Sequence, residues 1–445
     1  MSDAVVELNQ VVEQRTGILE ARPAGKEEAP MAEWFTKRQE AAWDRFESIP
    51  MPARRDEAWR FANLKNLNLD GYRHADHVAE ENAADMIQRS DYLESISSRF
   101  VFANDRLISR DGPGHSDLVV LPLAEAVEFH PELVRAHFMA GEQELGGAKL
   151  AALHEAVVRA GVFVFVPKGV EVKAPIEVYH WTSGRDVAVF PHTLIVAEAH
   201  SAVTVIEHYL SDEIGQDASL SVGVGDLVVG EGAKVRYLIH QNLSYDSRHV
   251  QMNSTVVSRN GSALSFIANL GAGWVRNEGV SHLVGEGANS DMLSANVASG
   301  VEEYDQRTLQ HHEAPRTTSD LLYKNALYDQ ARTIFAGLIQ VDQEAHYTDA
   351  YQKCRNLLGS NEAEANSMPG LEINADQVKC SHGATAGQID EEQLFYLLSR
   401  GVEPEQARKL ITFGFIDEVI KRIGDEAIEA VIERMVADKF ATLDV

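Results

Sequence analysis

The sequence contains only two cysteines, Cys354 and Cys380, in 445 residues. Two thiols in so long a chain exclude a secreted fold that is held together by disulfide bonds. We therefore expect both thiols to be reduced, and each to be either part of the core or used chemically.

Long apolar segments are also missing. No stretch approaches the roughly 18 uninterrupted apolar residues of a membrane-spanning helix. The N-terminus, Met-Ser-Asp-Ala-Val-Val-Glu, has neither the basic nor the apolar region of a signal peptide. These absences predict a cytoplasmic protein with no membrane partner.

Basic residues are scarce. There are 40 Lys and Arg against 68 Asp and Glu, which gives a formal net charge of -28. A surface this acidic repels phosphate backbones and anionic lipids, so nucleic acid and membranes are not expected partners. The main effect of the charge is solubility.

Motifs of nucleotide and hydrolase chemistry are absent as well. No Gly-x-x-x-x-Gly-Lys-Ser/Thr loop is present, since Gly25-Lys26 is followed by glutamates. No Ser-His-Asp or nucleophile-elbow pattern occurs. The sequence thus predicts no catalytic residue and no nucleotide site of its own.

The hydrophobic pattern divides the chain into three regions. Residues 1–160 show mainly helical spacing, in Met31–Ile49, 122–138 and 148–160, with one predicted strand pair around Asn104-Asp105. Residues 161–388 are rich in valine and short β-type runs. Residues 389–445 are helical again, where Asp390 resembles an N-cap and Gly401 a helix-ending glycine.

The middle region contains a weak internal repeat. Similar units, each a small-residue turn and an alternating strand, begin at Ser201, Gly232, Gly261 and Gly287. Their spacing is close to the repeat length of a β-solenoid. A β-sandwich of hairpins also gives short strands and turns, so the pattern leaves both folds open. In a solenoid, helical domains at both ends would cover the exposed coil ends.

Several motifs resemble the SufB/SufD family. The clearest runs from Leu371 to Asp390, LEINADQVKCSHGATAGQID, and continues through EEQLFYLLSRG to Gly401. The resemblance is dense from about residue 308 to 424 and weaker before 160. Further motifs that resemble the family are His311–Ser319, Phe335–Val341, Thr348–Gln352 with Asn356–Leu358, and Arg55–Phe61.

The resemblance implies a mainly β fold, a right-handed parallel β-helix between helical domains. It implies a non-catalytic scaffold subunit of the SUF (SufBCD) iron–sulfur cluster assembly complex. SufB-like sequences have Glu-His-Glu-Ala-Thr where this chain has Cys-Ser-His-Gly-Ala-Thr, so the chain follows the SufD branch here. The alternative, a β-helical enzyme acting on polysaccharides, would need a secretion signal and clustered carboxylates or Ca²⁺ ligands, which we do not find.

Cys380 and His382 are candidate metal ligands. They are two residues apart, so their side chains share one face if Val378–His382 is a strand. Thiolate and imidazole are suitable ligands for iron, but two ligands cannot complete a tetrahedral site. The resemblance implies that SufB supplies the rest, with a transient iron–sulfur cluster forming where the histidine matching His382 faces a SufB cysteine. A structural role for Cys380 remains equally open.

Other potential ligands have simpler interpretations. Cys354 precedes Cys380 by about the length of one coil, so the two thiols are able to stack. We nevertheless expect Cys354 to be inert core. His311 and His312 are adjacent, so in a strand they face opposite sides, and we expect both to be structural.

The C-terminal helices are the candidate docking surface for a partner. The resemblance implies that the ATPase SufC docks between Glu392 and Gly424. The alternative is an amphipathic cap that packs only on its own β-helix, and the two roles are compatible. The candidate docking residues are Gln393, Leu394, Phe395, Tyr396, Leu397 and Gly401. A homodimer that lacks SufB is a further possibility.

Overall fold

The computed structural model describes residues 17–19, 31–74, 77–112, 117–213 and 216–443. The first residues of the chain and Gly25-Lys26 lie outside these ranges. The helices are α1 (Glu33–Ser48), α2 (Glu80–Arg89), α3 (Leu123–Phe129), α4 (Pro131–His137), α5 (Ala148–Val157), α6 (Glu391–Ser399), α7 (Pro404–Ile420) and α8 (Glu426–Ala441). None of the helices that the structure describes is long and apolar enough to cross a bilayer.

The strands occupy most of the remaining chain. They are β1 (Arg73–His74), β2 (Ser98–Ala103), β3 (Arg106–Asp111), β4 (Val119–Pro122), β5 (Gly161–Val166), β6 (Ile176–Thr182), β7 (Arg185–Val189), β8 (His192–Ala197), β9 (Ala202–Ser211), β10 (Ala218–Val229), β11 (Lys234–Asn242), β12 (Arg248–Val257), β13 (Ser262–Asn269), β14 (Trp274–Leu283), β15 (Asn289–Ala298), β16 (Glu303–His312), β17 (Thr318–Leu327), β18 (Arg332–Val341), β19 (Asp349–Leu358), β20 (Glu364–Ile373) and β21 (Lys379–Gln388).

The strands form a parallel β-solenoid of about eight turns. From β8 onward the even-numbered strands lie in one sheet, here called sheet A, and from β9 onward the odd-numbered strands lie in another, sheet B. Every pairing between strands from β5 onward is parallel. The prediction of a solenoid is therefore confirmed, and the hairpin-based sandwich is wrong.

The interior of the solenoid contains a ladder of asparagines. Asn269, Asn296, Asn325 and Asn356 occupy the same position of four successive strands in sheet B. Each side-chain amide donates to the next at 2.6–2.8 Å. Asn356 then donates to the backbone oxygen of Thr385 in β21 at 2.9 Å. The ladder satisfies polar groups that burial would otherwise penalise, and it fixes the register up to the last strand.

The N-terminal region adds strands to both sheets. β2 pairs in parallel with β6, and β4 pairs antiparallel with β5. The turn between β2 and β3 falls at Asn104-Asp105, as predicted, and both residues have positive φ. Helix α1 buries Phe35, Ala42, Trp43 and Phe46 at helical spacing. The first end of the solenoid is thus extended by paired strands.

The C-terminal helices lie along the side of sheet B. Asp390 caps α6 by accepting from the backbone nitrogens of Glu392 and Gln393, and Gly401 has a φ of 86°, both as predicted. Helices α7 and α8 share an apolar cluster with sheet B, which includes Phe266, Leu293, Leu322, Ile416, Val419, Ile420, Ile428, Ile432 and Val436.

The expectation that these helices cover the far end of the solenoid is wrong. Among the residues that the structure describes, β20 pairs only with β18, and β21 pairs only with β19. The apolar faces of α7 and α8 pack against sheet B. The two helices therefore have no second apolar face with which to cover the end of the solenoid at β20 and β21.

Candidate functional site

The last coil, formed by β20 and β21, holds the predicted ligands. Cys380 pairs in register with Ala350, and His382 pairs with Gln352. Alternate residues of β19 from Ala350 to Asn356 are buried, while Tyr351 and Lys353 are exposed. Cys380 and His382 therefore belong to the face that points into the solenoid, and they share it because they are two residues apart.

The two candidate ligands differ in their surroundings. Cys380 is half-buried and packs against an interior cluster that includes Ile339, Val341 and Ala350. His382, which lies further along the strand, is exposed. An inward-facing residue is exposed here because no further coil stacks on β21 among the described residues. The end of the solenoid thus presents interior positions as surface.

The thiol of Cys380 is protonated in the free chain near neutral pH. Burial, with the carboxylate of Asp349 nearby, raises the pKa of Cys380. A metal ion that binds this sulfur must therefore displace a proton. Cys380 can serve as a metal ligand, but it needs a cation or a partner to become a thiolate.

The opposite wall of the coil end is apolar. Leu371 and Ile373 on β20 pair with the fully buried Ile339 and Val341 of β18, yet both are exposed. Pro369, which cannot donate a backbone hydrogen bond, also lies on β20, and proline in a sheet is typical of edge strands. An apolar wall beside a thiol and an imidazole is suited to a protein partner that excludes water.

Cys354 does not stack on Cys380, so the possibility left by their spacing is excluded. Cys354 pairs in register with Ala384, because the last coil advances from Ala350 to Cys380 and is longer than the separation of the two cysteines. Cys354 is fully buried, and burial raises the pKa of its thiol to about 12. These properties agree with an inert core residue.

His311 and His312 face opposite sides of β16, as predicted. His312 is buried, bonds to Thr317 and Ser319 at 2.7 and 2.9 Å, and has a pKa that burial lowers to about 3. It is structural. His311 lies on the outer face, 3.1 Å from the carboxylate of Asp342.

Helix α6 differs from α7 and α8 because it buries none of its residues. Phe395 is 72% exposed and Tyr396 57% exposed, and Gln393 and Gly401 are also exposed. Leu394 and Leu397 are half-buried. A cleft of about 570 Å³ separates α6 from the last coils, and its lining includes Tyr328, Leu358, Ile389, Leu394, Phe395 and Leu398. No sequence pattern indicated this cleft, since it depends on how α6 is placed against the solenoid.

Comparison with known proteins agrees with this architecture. A family model described as "SUF system FeS cluster assembly, SufBD core domain" matches residues 180–415, and one described as "SufBD protein N-terminal region" matches residues 26–178. The core match spans more than half of the chain. The chain therefore belongs to the SufBD family of iron–sulfur cluster assembly proteins, and the resemblance drawn from its motifs is confirmed.

Individual members of the family are similar to this chain over much of its length. The chain is 28% identical over 427 residues to the iron–sulfur cluster assembly protein SufD of Bacillus subtilis (strain 168), which covers 90% of this chain and 95% of the relative. It is 30% identical over 402 residues to a SufBD family protein of Synechocystis, with 87% of each chain covered. A SufBD family protein of Staphylococcus epidermidis is 30% identical over 298 residues, 67% of this chain and 64% of the relative.

Proposed function

We propose that this chain is the scaffold subunit of a SufBCD-type complex, in which its terminal coil pairs with SufB and helix α6 docks the ATPase SufC. The observation that carries the proposal is the exposure of His382, beside Cys380, on the inward face of a strand with one edge free among the described residues. In this proposal residues 161–388 supply the pairing surface and residues 389–445 the docking surface. The iron–sulfur cluster is cargo, assembled transiently and passed on.

The free edges of the last two strands support pairing with a second chain. β20 and β21 are each ten residues long, and each has a free edge in the part of the chain that the structure describes. A free edge of this length presents backbone N–H and C=O groups to which another chain can add a strand. The core domain that matches this chain is named after both SufB and SufD. We therefore expect SufB to form a solenoid of the same type, with strands that can pair with β20 and β21.

The chemistry of the coil end supports a shared cluster site. Iron in clusters is bound by thiolates, with histidine as an occasional substitute. Cys380 and His382 are about 6.6 Å apart along the strand, so both reach the same small volume in front of the coil. Two ligands leave an iron site incomplete, and the partner must supply the remainder. Both cysteines are free thiols, which fits a cytoplasmic location.

The exposed side of α6 supports docking of the ATPase. Phe395 and Tyr396 are large aromatic side chains that remain 72% and 57% exposed. Aromatic residues of this kind commonly anchor protein interfaces. Helix α7 anchors the region to the solenoid, so a movement of docked SufC would act directly on the coils next to the pairing surface.

Co-purification tests the assembly. This chain, tagged and expressed with SufB and SufC, should retain both partners through size-exclusion chromatography. Elution of the chain alone contradicts the proposal. A particle that contains two copies of this chain and no SufB would replace it with a homodimeric assembly.

A substitution at His382 tests the shared site. Glutamine stands at the matching position one coil earlier, as Gln352, so His382→Gln should fold and assemble. We expect cluster transfer to an apo-ferredoxin acceptor to fall by at least about tenfold, since loss of a ligand costs more than loss of a residue that only orients one. Ser381→Ala, at the neighbouring position on the opposite face, is the control and should retain full transfer.

A further inference from the structure

A second group of potential metal ligands lies on the outer face of sheet A, away from the terminal coil. His282 on β14 and His311 on β16 pair in register, and their rings are 5.4 Å apart. Glu313 follows β16 directly. The three residues belong to coils that precede the terminal coil and to the sheet opposite β21. The group is therefore separate from Cys380 and His382.

The ligand atoms are close to the spacing of a coordination site. Nδ1 of His282 lies 2.9 Å from Oε1 of Glu313, and Nδ1 of His311 lies 3.5 Å from the same oxygen. The three residues can each offer one atom within 4.8 Å of the others. Tetrahedral zinc with bonds of about 2.0–2.1 Å places its ligand atoms about 3.3 Å apart. Small side-chain rotations would therefore bring these atoms around one ion.

The second nitrogen of each imidazole faces a different carboxylate. Nε2 of His282 lies 3.3 Å from Glu144, and Nε2 of His311 lies 3.1 Å from Asp342. Metal-bound histidines almost always donate their other ring N–H to a carboxylate, carbonyl or water, which fixes the ring and its tautomer. His311 makes this hydrogen bond with Asp342, and His282 places its Nε2 within contact distance of Glu144, from a different segment of the chain.

Hydrogen bonding without a metal explains only part of the group. The two ring nitrogens of His282 each face a carboxylate, Glu313 on one side and Glu144 on the other. In contrast, Nδ1 of His311 is buried and makes no hydrogen bond with any residue that the structure describes. Three carboxylates converge on the two half-buried imidazoles. A divalent cation would accept the free nitrogen lone pair and offset the excess negative charge.

We propose that His282, His311 and Glu313 bind one divalent transition-metal ion, with Glu144 and Asp342 orienting the two imidazoles. Two imidazoles and a carboxylate are ligands for Zn²⁺ and Fe²⁺ alike. Three protein ligands leave a coordination position for water or a small exchangeable ligand. This inference does not depend on the function proposed for the terminal coil.

Metal titration of the full chain tests this inference in a background that carries Cys380→Ser and His382→Gln. We expect this background to bind one Zn²⁺ in equilibrium dialysis. Glu313→Gln keeps the shape of the side chain, and we expect it to weaken Zn²⁺ binding by more than about tenfold. His311→Ala should abolish it. His346 is a half-buried histidine outside the group. The control variant His346→Ala should bind Zn²⁺ as tightly as the background does.

Spectra with Co²⁺ identify the ligands. The background should give visible bands of a nitrogen- and oxygen-bound ion without the near-ultraviolet band of a cobalt–thiolate bond, and anaerobic competition then ranks Fe²⁺ against Zn²⁺. Circular dichroism confirms that each variant is folded. A background that binds no metal ion, or equal binding by the background, Glu313→Gln and His311→Ala, would overturn the proposal.

Discussion

His382 lies opposite Gln352 in the register of the last two strands of sheet B, yet Gln352 is fully buried and His382 is exposed. The contrast arises from position in the solenoid. Gln352 is covered by the coil that carries His382, while no residue that the structure describes covers His382 in turn. A position that is fully buried in the preceding coil is therefore exposed at the open end.

The inward face of β21 should be essential for pairing and unimportant for the stability of the free chain. Ala384 is exposed and in register with the buried Cys354. We expect Ala384→Glu to change the free energy of unfolding by less than about 0.5 kcal/mol, because the side chain is solvated. The same charge buried against SufB should abolish co-purification.

Val301→Glu is the control for this charge, because Val301 is an exposed turn residue of an earlier coil. It should leave pairing intact. Normal SufB retention by Ala384→Glu would show that the partner binds elsewhere.

The two thiols should differ sharply in reactivity. Iodoacetamide should label Cys380 and spare Cys354, since Cys354 is buried and its pKa of about 12 leaves almost no thiolate at pH 8. Because the pKa of Cys380 is raised, its labelling rate should increase at a higher pH than that of an unperturbed cysteine. Mass spectrometry counts the labelled cysteines per chain, and we expect one in the native protein and two in the denatured protein.

Cys380→Ser should show no labelling in the native state, and bound SufB should protect Cys380 in the wild type. Comparable labelling of Cys354 in the native chain would contradict the packing of the core.

The aromatic side chains of α6 should act in docking and contribute little to folding. Phe395→Ser removes the side chain of a residue that is 72% exposed, so the free energy of unfolding should be nearly unchanged. We expect SufC to bind at least about 30-fold more weakly, as for an interface anchor. Isothermal titration with purified SufC measures the change.

Phe129→Ser, at an exposed position of α3 in the N-terminal region, should bind SufC like the wild type. An equal loss in both variants would point to a general effect of surface hydrophobicity.

The N-cap of α6 should stabilise that helix alone. Asp390→Ala removes the acceptor for two backbone N–H groups, at a cost of about 1 kcal/mol. Because α6 buries no residue, we expect amide exchange in Leu394–Ser399 to accelerate roughly fivefold while the solenoid is unaffected.

Asp425→Ala is the matched comparison, since Asp425 caps α8, which buries Ile428, Ile432 and Val436. This substitution should lower the stability of the whole C-terminal region. Uniform acceleration throughout the chain in Asp390→Ala would show that α6 is part of the cooperative core.

Local patterns in the sequence predicted much of the fold. The units at Ser201, Gly232, Gly261 and Gly287 precede four successive strands of sheet B, β9, β11, β13 and β15. Their spacing is the length of one coil, which is why a weak repeat was enough to indicate a solenoid. The Asn104-Asp105 turn and the Asp390 cap were also predictable, because each depends on residues near in sequence.

Features that depend on packing were not predictable in this way. The open end of the solenoid follows from α7 and α8 lying on sheet B, which no local pattern indicates. Cys354 fails to stack on Cys380 because the turns of the last coil make it longer than the separation of the two thiols.

The histidine pair on sheet A was missed for a similar reason. His282 was not recognised beside His311, because the partners of the two imidazoles, Glu144 and Asp342, come from distant parts of the sequence. The available signal was that the two histidines are separated by the length of one coil, which places them in register on neighbouring strands.

Pulsed electron paramagnetic resonance of the cluster-loaded, reduced complex with SufB, prepared with ¹⁵N-histidine in this chain only, tests the central claim most directly. The account predicts a ¹⁵N coupling of the strength of a directly bound imidazole, and its loss in His382→Gln while the complex stays intact. Retention of the same coupling in that variant, or its absence from the wild type, would contradict it.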